Sequence, residues 1–354
     1  MKQIYITGTG AITPQQTFDN SAFLDQVQEY YQNNLTCVDP NYKDFIPPLE
    51  LRRMSRINRI GLSSAKICLN DAQMENPDAI ITGTGMGCVE DTEKFLMSMI
   101  ENGEQLLTPT SFIRSTHNTV GAQIAVHLKC HNYNFTYVHR GFSFESALTD
   151  AMLLIKEGEA HRILVGGIDE TSENNFKILS RLGYWKENPI RNLDLLSEKT
   201  NGTISGEGSV FVMLSDEPGK KNYGRLMAVD TFLNPDCPET INYRIISFLE
   251  ENNMKPGNID LTVMGYSGDM RYDSVFDQMY ENLFSDRAQV YYKHLCGEYH
   301  TASAFGFWTA IKILETQHIP EPLIIKRGIP KEINNILIYN HFMNQHHTLM
   351  LLSR

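Results

Sequence analysis

The stretch Thr136 to Glu170, TYVHRGFSFESALTDAMLLIKEGEAHRILVGGIDE, is where residue types and spacing best suit chemistry. It reads as a strand ending in a sharp turn, then a helix, then a second apolar strand. Such an elbow lifts one side chain above a sheet at a helix N-terminus, a place that favours a nucleophile. Ser143 is the hydroxyl available there; its plainer role is that of a first-turn serine bonded to backbone. Six cysteines, at 37, 68, 88, 130, 237 and 296, lie elsewhere, with no CxxC pair and no histidine at metal-ligand spacing. They read as scattered buried thiols in a reducing cytoplasm. His346 and His347 are adjacent on a strand, face opposite ways and make no metal pair, so no metal is expected.

The elements that must position the elbow follow from periodicity. Phe144, Ala147, Leu148, Ala151, Leu154 and Ile155 recur at helical spacing, and Gly158 ends the helix. Ile163 to Val165 is a buried-strand candidate before a Gly166-Gly167 turn. Residues 4–7 form a strand, followed by a tight turn at Gly8-Thr9-Gly10-Ala11. That turn lacks the third glycine of GxGxxG, and Pro14 interrupts any immediate helix, so no dinucleotide or other cofactor is expected. Residues 15–50 read as a helix plus a surface loop. Arg52 to Arg56 lead a helix to about Ala72, its arginines solvated and its Ile57, Ile60 and Ala65 side buried. Ala79 to Thr82 is a strand before a glycine turn at 83–87, and Thr171 to Leu196 is rich in loops. Gly208 to Leu214 suits a strand buried on both faces, with Glu207 accepting from buried backbone N–H groups. The second half repeats the grammar, with strands near 226–233, 261–264, 336–339 and 348–352 and helices near 240–253, 273–284 and 302–316. Strands alternating with helices argue for α/β layers.

The 354 residues are 42% hydrophobic and 21% charged, ordinary for a globular chain. A net charge of −11 argues against nucleic-acid and anionic-membrane binding. No apolar run is long enough to span a membrane, the N-terminus reads as a first strand rather than a signal core, and a cytoplasmic location is expected.

Several of these segments resemble the β-ketoacyl synthases, condensing enzymes of the thiolase superfamily. TGTGAITP at 7–14 is similar to their opening, RMSR at 53–56 to their first-half helix, Pro109…Asn118…Ala125 to the spacing before the elbow, and SGEGSVFVML at 205–214 to the strand closing the first half. The resemblance implies an α/β thiolase-like fold, a duplicated five-layer αβαβα unit with halves 1–215 and 216–354. It also implies a Claisen condensation, which needs a thiolate to hold the acyl chain, donors to polarise a malonyl thioester, and an oxyanion hole.

Carried over residue by residue, that machinery is degenerate. Counting back from Gly158 and Ala151, the family's cysteine falls on Gly141, where glycine would tolerate a strained elbow. The first histidine falls on Gly265, with Asp273 eight residues on. Lys293 matches the family lysine, and the second histidine falls on Glu298 counted from Lys293 and Gly297, or on His300 counted back from the helix. The glycines of the C-terminal loop are missing between Tyr339 and His347. The resemblance therefore implies a chain-length-factor-like subunit that pairs with an active synthase, or with itself, and works with an acyl carrier protein. The alternative is a divergent 3-oxoacyl-carrier-protein synthase or malonyl decarboxylase using Ser143, Lys293 or His300. Carrier proteins are acidic in this family, so docking is expected to fall mainly on the partner, local basic pairs such as Lys326-Arg327 apart.

Overall fold

The computed structural model describes residues 2–20, 23–235, 237–326, 328 and 332–354. Arg327, half of the basic pair noted above, lies outside the described residues. The strands are β1 (Tyr5–Ile12), β2 (Ala79–Gly83), β3 (Tyr133–Tyr137), β4 (Arg162–Asp169), β5 (Gly208–Ser215) and β6 (Arg225–Leu233). They continue as β7 (Leu261–Met264), β8 (Ala288–Tyr291), β9 (Ile324–Lys326), β10 (Asn335–Phe342) and β11 (His346–Ser353). The helices of the first half are α1 (Pro48–Leu51), α2 (Arg56–Ala72), α3 (Val89–Glu101), α4 (Pro109–Ser115), α5 (Thr119–Leu128), α6 (Ser143–Glu157) and α7 (Glu173–Arg181). Those of the second are α8 (Pro238–Glu251), α9 (Ser274–Leu283), α10 (Lys293–Cys296) and α11 (Ser303–Thr316).

The strands join in the order β3-β2-β4-β5-β1-β6-β11-β10-β7-β8-β9. This order contains one pattern twice. In β3-β2-β4-β5-β1 the second strand, β2, is parallel to β3 and β4, and β5 is antiparallel to both β4 and β1. In β8-β7-β10-β11-β6 the same roles fall to β7, parallel to β8 and β10, and to β11, antiparallel to β10 and β6. The repeats meet where β1 touches β6 at Tyr5 and Arg225.

Three apolar cores separate five layers. One lies between α2 and α5 and the outer face of the first sheet half, through Leu62, Ala65, Ile124, Leu164 and Phe211. A second lies between α8 and α9 and the outer face of the other half, through Ile245, Phe248, Phe276, Leu337 and Leu351. The largest fills the middle, where α6 and α11 pack between the two inner faces. Phe144 of α6 meets Phe307 of α11 edge to face at 5.8 Å. Every residue of α11 from Ser303 to Leu314 is buried, as expected of a helix enclosed by two sheets and a second helix. No helix among the described residues is long and apolar enough to cross a membrane.

Four local readings change. Gly8 and Gly10 sit inside β1 rather than in a turn, because α2 crosses too closely for a side chain: a Cβ on Gly10 would lie 2.2 Å from the Ser64 carbonyl oxygen. Gly166 and Gly167 likewise stay in β4, where a Cβ on Gly166 would strike the Phe211 ring at 2.3 Å. The described residues of 15–47 hold no α-helix, only a single 3₁₀ turn at Tyr42–Asp44, their polar side chains bonding backbone instead. Thr171–Leu196 contains the amphipathic helix α7, capped by Ser172.

Candidate functional site

The predicted elbow forms at the end of β3. Arg140 takes a left-handed backbone with φ of 50°, a 3₁₀ turn runs from Arg140 to Phe142, and α6 starts at Ser143. The strain expected of Gly141 thus falls on its neighbour. Ser143 is fully buried: its Oγ accepts from the His139 N–H at 2.8 Å and lies 2.9 and 2.8 Å from the carbonyls of Thr84 and Arg140. It clamps the turn and leaves no free hydroxyl for attack.

Gly141 is buried against the tip of the C-terminal hairpin. A Cβ there would lie 2.8 Å from Phe342 Cβ and 3.2 Å from His346 Cβ. The hairpin is tight: β10 and β11 pair out to Phe342 and His346, and only residues 343–345 connect them, with φ of 54° at Met343 and 53° at Asn344. The segment expected as a loop from Tyr339 to His347 is therefore mostly strand. His346 faces the elbow, its ring edge-on to Phe142 at 4.7 Å. His347 faces the opposite way, stacked on Phe232 at 5.1 Å with Nδ1 2.9 Å from the Tyr339 hydroxyl.

The other candidate positions come from the second repeat. Lys293 is completely buried after β8; its Nζ lies 2.6 Å from Glu298 Oε2 and donates to the His341 carbonyl at 3.2 Å. Burial pushes the Glu298 carboxyl up, and the Lys293 ammonium opposes it. Gly265 follows β7 directly, and a Cβ on it would lie 2.1 Å from Asn340 Oδ1. Asn340 is anchored there by the Tyr292 hydroxyl at 3.1 Å, so an amide occupies the space a residue-265 side chain would need.

His300 sits in a niche made by the first repeat. A Cβ on Gly85 would strike its ring at 2.2 Å, which explains a glycine in that turn. Asp169, at the end of β4, ties the pieces together by accepting from Gly85 N–H, Thr84 Oγ1, Thr301 N–H and Thr301 Oγ1 at 2.8 to 3.0 Å. The His300 ring leans on Phe342 at 4.6 Å, and its Nδ1 has no partner among the described residues. Burial lowers its pKa; Asp169 acts against this and Arg140 adds to it. Glu298 and His300, the two readings of one motif, thus differ in kind: the first is spent in an ion pair, and the second keeps its Nδ1 without a partner among the described residues.

Both border a cavity of about 280 Å³ at the mouth of the elbow, walled by Arg140, Trp185, Tyr299, His300, Phe342 and His346 among others. Lys293, Gly265 and Ser143 do not line it. Arg140, Trp185 and Phe342 were not marked as site residues by the sequence. Their only signal was position, Arg140 beside Gly141 and Phe342 in the degenerate C-terminal segment.

The pattern described as "Beta-ketoacyl synthase, N-terminal domain" matches residues 8–218. This chain belongs to the β-ketoacyl synthase family. It is 22% identical over 189 residues to the 3-oxoacyl-[acyl-carrier-protein] synthase 2 of Staphylococcus aureus strain N315, covering 48% of this chain and 46% of that protein. The match thus spans about half the length of that curated relative. Among solved structures, the ishigamide ketosynthase/chain length factor superposes with a TM-score of 0.80 at 17% identity, covering 100% of this chain and 99% of that one. The ketosynthase ApeO in complex with its chain length factor ApeC from Xenorhabdus doucetiae gives 0.77 at 18%, covering 100% and 98%. At these identities the likeness shows the thiolase-like ketosynthase fold.

Proposed function

We propose that this β-ketoacyl synthase family member is a non-catalytic, chain-length-factor-type subunit that pairs with an active synthase in a fatty acid or polyketide condensing complex, for example one making aryl polyenes. The observation that carries this is Gly141. The position matching the acyl-bearing cysteine has no side chain and, with Phe342 Cβ 2.8 Å from where a Cβ would be, no room for one. Without a thiolate the acyl chain has nowhere to be held covalently, and donors have nothing to act on. The position matching the first histidine is closed by Asn340, and the tight β10–β11 hairpin replaces the glycine-rich loop.

The surface supports a partner. β3 is an uncovered edge strand bearing half-exposed Tyr133 and Phe135, and Ile100, Leu106, Phe112 and Ile113 stand exposed on and between α3 and α4. A bare aromatic edge and several exposed apolar side chains are liabilities in a monomer and assets in a complex. A second synthase-like chain is the expected occupant, with an acyl carrier protein served mainly by that chain. Intact-mass analysis after incubation with acyl- and malonyl-carrier protein tests the reading. The chain alone should take no adduct, and with its synthase the product should form and change in length when this chain is varied. An adduct on the chain alone would overturn it.

A second reading has one specific support, the unpartnered His300 Nδ1 beside the cavity. Decarboxylation of a malonyl thioester needs a donor to the thioester oxygen but no nucleophile. Release of carbon dioxide from malonyl-carrier protein by the chain alone, lost in His300→Ala, would favour this decarboxylase.

A further inference from the structure

We propose that the elbow cavity reversibly binds a short organic monocarboxylate, with Arg140 holding its head and an apolar wall holding its body. This goes beyond the subunit reading, since it requires no thioester and no partner.

The first observation is unspent binding capacity. Arg140 borders the cavity, yet no hydrogen bond or ion pair joins its guanidinium to any described residue. Four further cavity-lining side chains carry buried polar atoms without partners among the described residues: Trp185 Nε1, the Tyr299 hydroxyl, His300 Nδ1 and His346 Nδ1. Trp185 is 9% exposed, and its indole N–H can only donate. Buried donors left open in a native fold ask for an acceptor.

The second is the state of the acidic side chains. Three carboxylates border the same space, and each already has hydrogen-bond partners. Asp169 is saturated by Thr84, Gly85 and Thr301, and Glu298 is matched by Lys293. Glu170 accepts from the Glu90 N–H, and burial raises it to about 8, so it is mainly protonated at neutral pH. The side-chain groups left without partners among the described residues are the Arg140 guanidinium, the indole and the imidazoles, and an anionic acceptor is the complement of that guanidinium.

The third is the wall. Trp185 stacks on Phe176 with rings 7° from parallel, and Leu179, Met86 and Phe342 continue the apolar surface. The volume of about 280 Å³ sits at the lower end of small-molecule sites. Inorganic phosphate would leave the wall unused and a neutral alcohol would leave Arg140 unused, whereas a short-chain carboxylate uses both.

The test is a titration of the full chain with hexanoate, read by thermal shift and by tryptophan emission. The chain has two tryptophans; Trp308 is buried in the central core, so an emission change that vanishes in Trp185→Phe reports the cavity. Hexanoate should raise Tm and shift the emission, while hexanol, malonate and inorganic phosphate should do so at least tenfold less effectively. Arg140→Gln should weaken hexanoate binding at least tenfold and Arg140→Lys only partly. Because Arg140 is exposed, both variants should keep the parent circular dichroism, and their own melting curves check this. No response to hexanoate, an equal response to hexanol, malonate or phosphate, or undiminished binding by Arg140→Gln in a folded chain would each overturn the proposal.

Discussion

The two repeats share one strand order and treat their outer edges in opposite ways. In the second repeat β8 is covered: β9 pairs along it through Gln289 with Lys326 and Val290 with Ile324, and all of β8 is buried. In the first repeat the corresponding strand β3 has no neighbour beyond it among the described residues, and its first three residues are exposed. The elbows differ in the same sense. The segment between β8 and α11 is packed with a paired lysine and glutamate, whereas the turn between β3 and α6 carries glycine and an arginine without a partner among the described residues. One half of a duplicated fold is finished inward and the other is left open at its rim, which agrees with the proposed pairing with another chain.

The largest effect should come from disturbing the sealed side. Lys293→Met leaves Glu298 buried without its counter-ion, and loss of one member of a buried pair costs about 3–5 kcal/mol. Urea unfolding should show that loss, and the double variant Lys293→Met/Glu298→Gln should recover much of it. If the single variant is as stable as the parent, the second elbow is not the rigid one.

On the open side the same size of chemical change should leave the isolated chain almost untouched. Phe135 is 46% exposed and touches mainly Tyr133 and Tyr137, so Phe135→Glu should alter stability by no more than about 0.5 kcal/mol. Association with the proposed synthase partner should weaken by about 2 kcal/mol or more, as at the centre of an interface. Co-purification and isothermal titration check both halves of that statement. An unchanged affinity would move the interface off β3.

Gly141→Cys probes the point where the open side stops being open. Its new side chain meets Phe342 and His346, and overpacking of this kind costs about 1–3 kcal/mol. Adding Phe342→Ala should restore part of the loss in a melting curve. Neither variant should accept an acyl group, because Gly265 and the hairpin still withhold the remaining machinery. An acyl adduct on the cysteine would show that the scaffold is closer to catalysis than its geometry indicates.

Much of this was legible in the chain. Helix α6, its Gly158 stop with φ of 80°, the α2 helix and the doubly buried β5 all follow from period and punctuation. Glu207 accepts from the Cys37 N–H at 2.8 Å, the buried-acceptor role expected of it, and also pairs with Arg56 at 2.6 Å, so Arg56 is drawn inward rather than solvated as expected. Glycine misled wherever it served close approach rather than a turn, as Gly10 under α2 and Gly166 under Phe211 show, because one sequence does not reveal which neighbour presses on it. Strand β8 was missed since AQVY is too short to carry a period of its own. Likewise the site's positions could be counted along the chain, but its walls could not. Phe342 and Trp185 reach the elbow from opposite repeats, and that meeting exists only in three dimensions.

A pH-dependent effect concerns the two central helices, where the repeats differ at matching places. The third residue of α11 is Phe305, and the third of α6 is Glu145, fully buried with both carboxyl oxygens lacking hydrogen-bond partners among the described residues. Burial raises its pKa from 4.5 to about 7, with the Ser303 and Thr348 hydroxyls and the Lys293 ammonium acting against the rise. Because the folded value lies above the unfolded one, the native chain binds the extra proton between them. Below about pH 4.5 the group is neutral in both states and costs nothing; above about pH 7 it is charged in both, and the native state bears its desolvation. Stability should therefore fall as pH rises through that window, by on the order of 1–3 kcal/mol. Glu145→Gln removes the titrating group, so its Tm should exceed the parent's at pH 8 and match it at pH 4.5. Equal curves at both pH values would mean that the carboxyl is solvated, and that the core between α6 and α11 is less dry on the first repeat's side than on the second's.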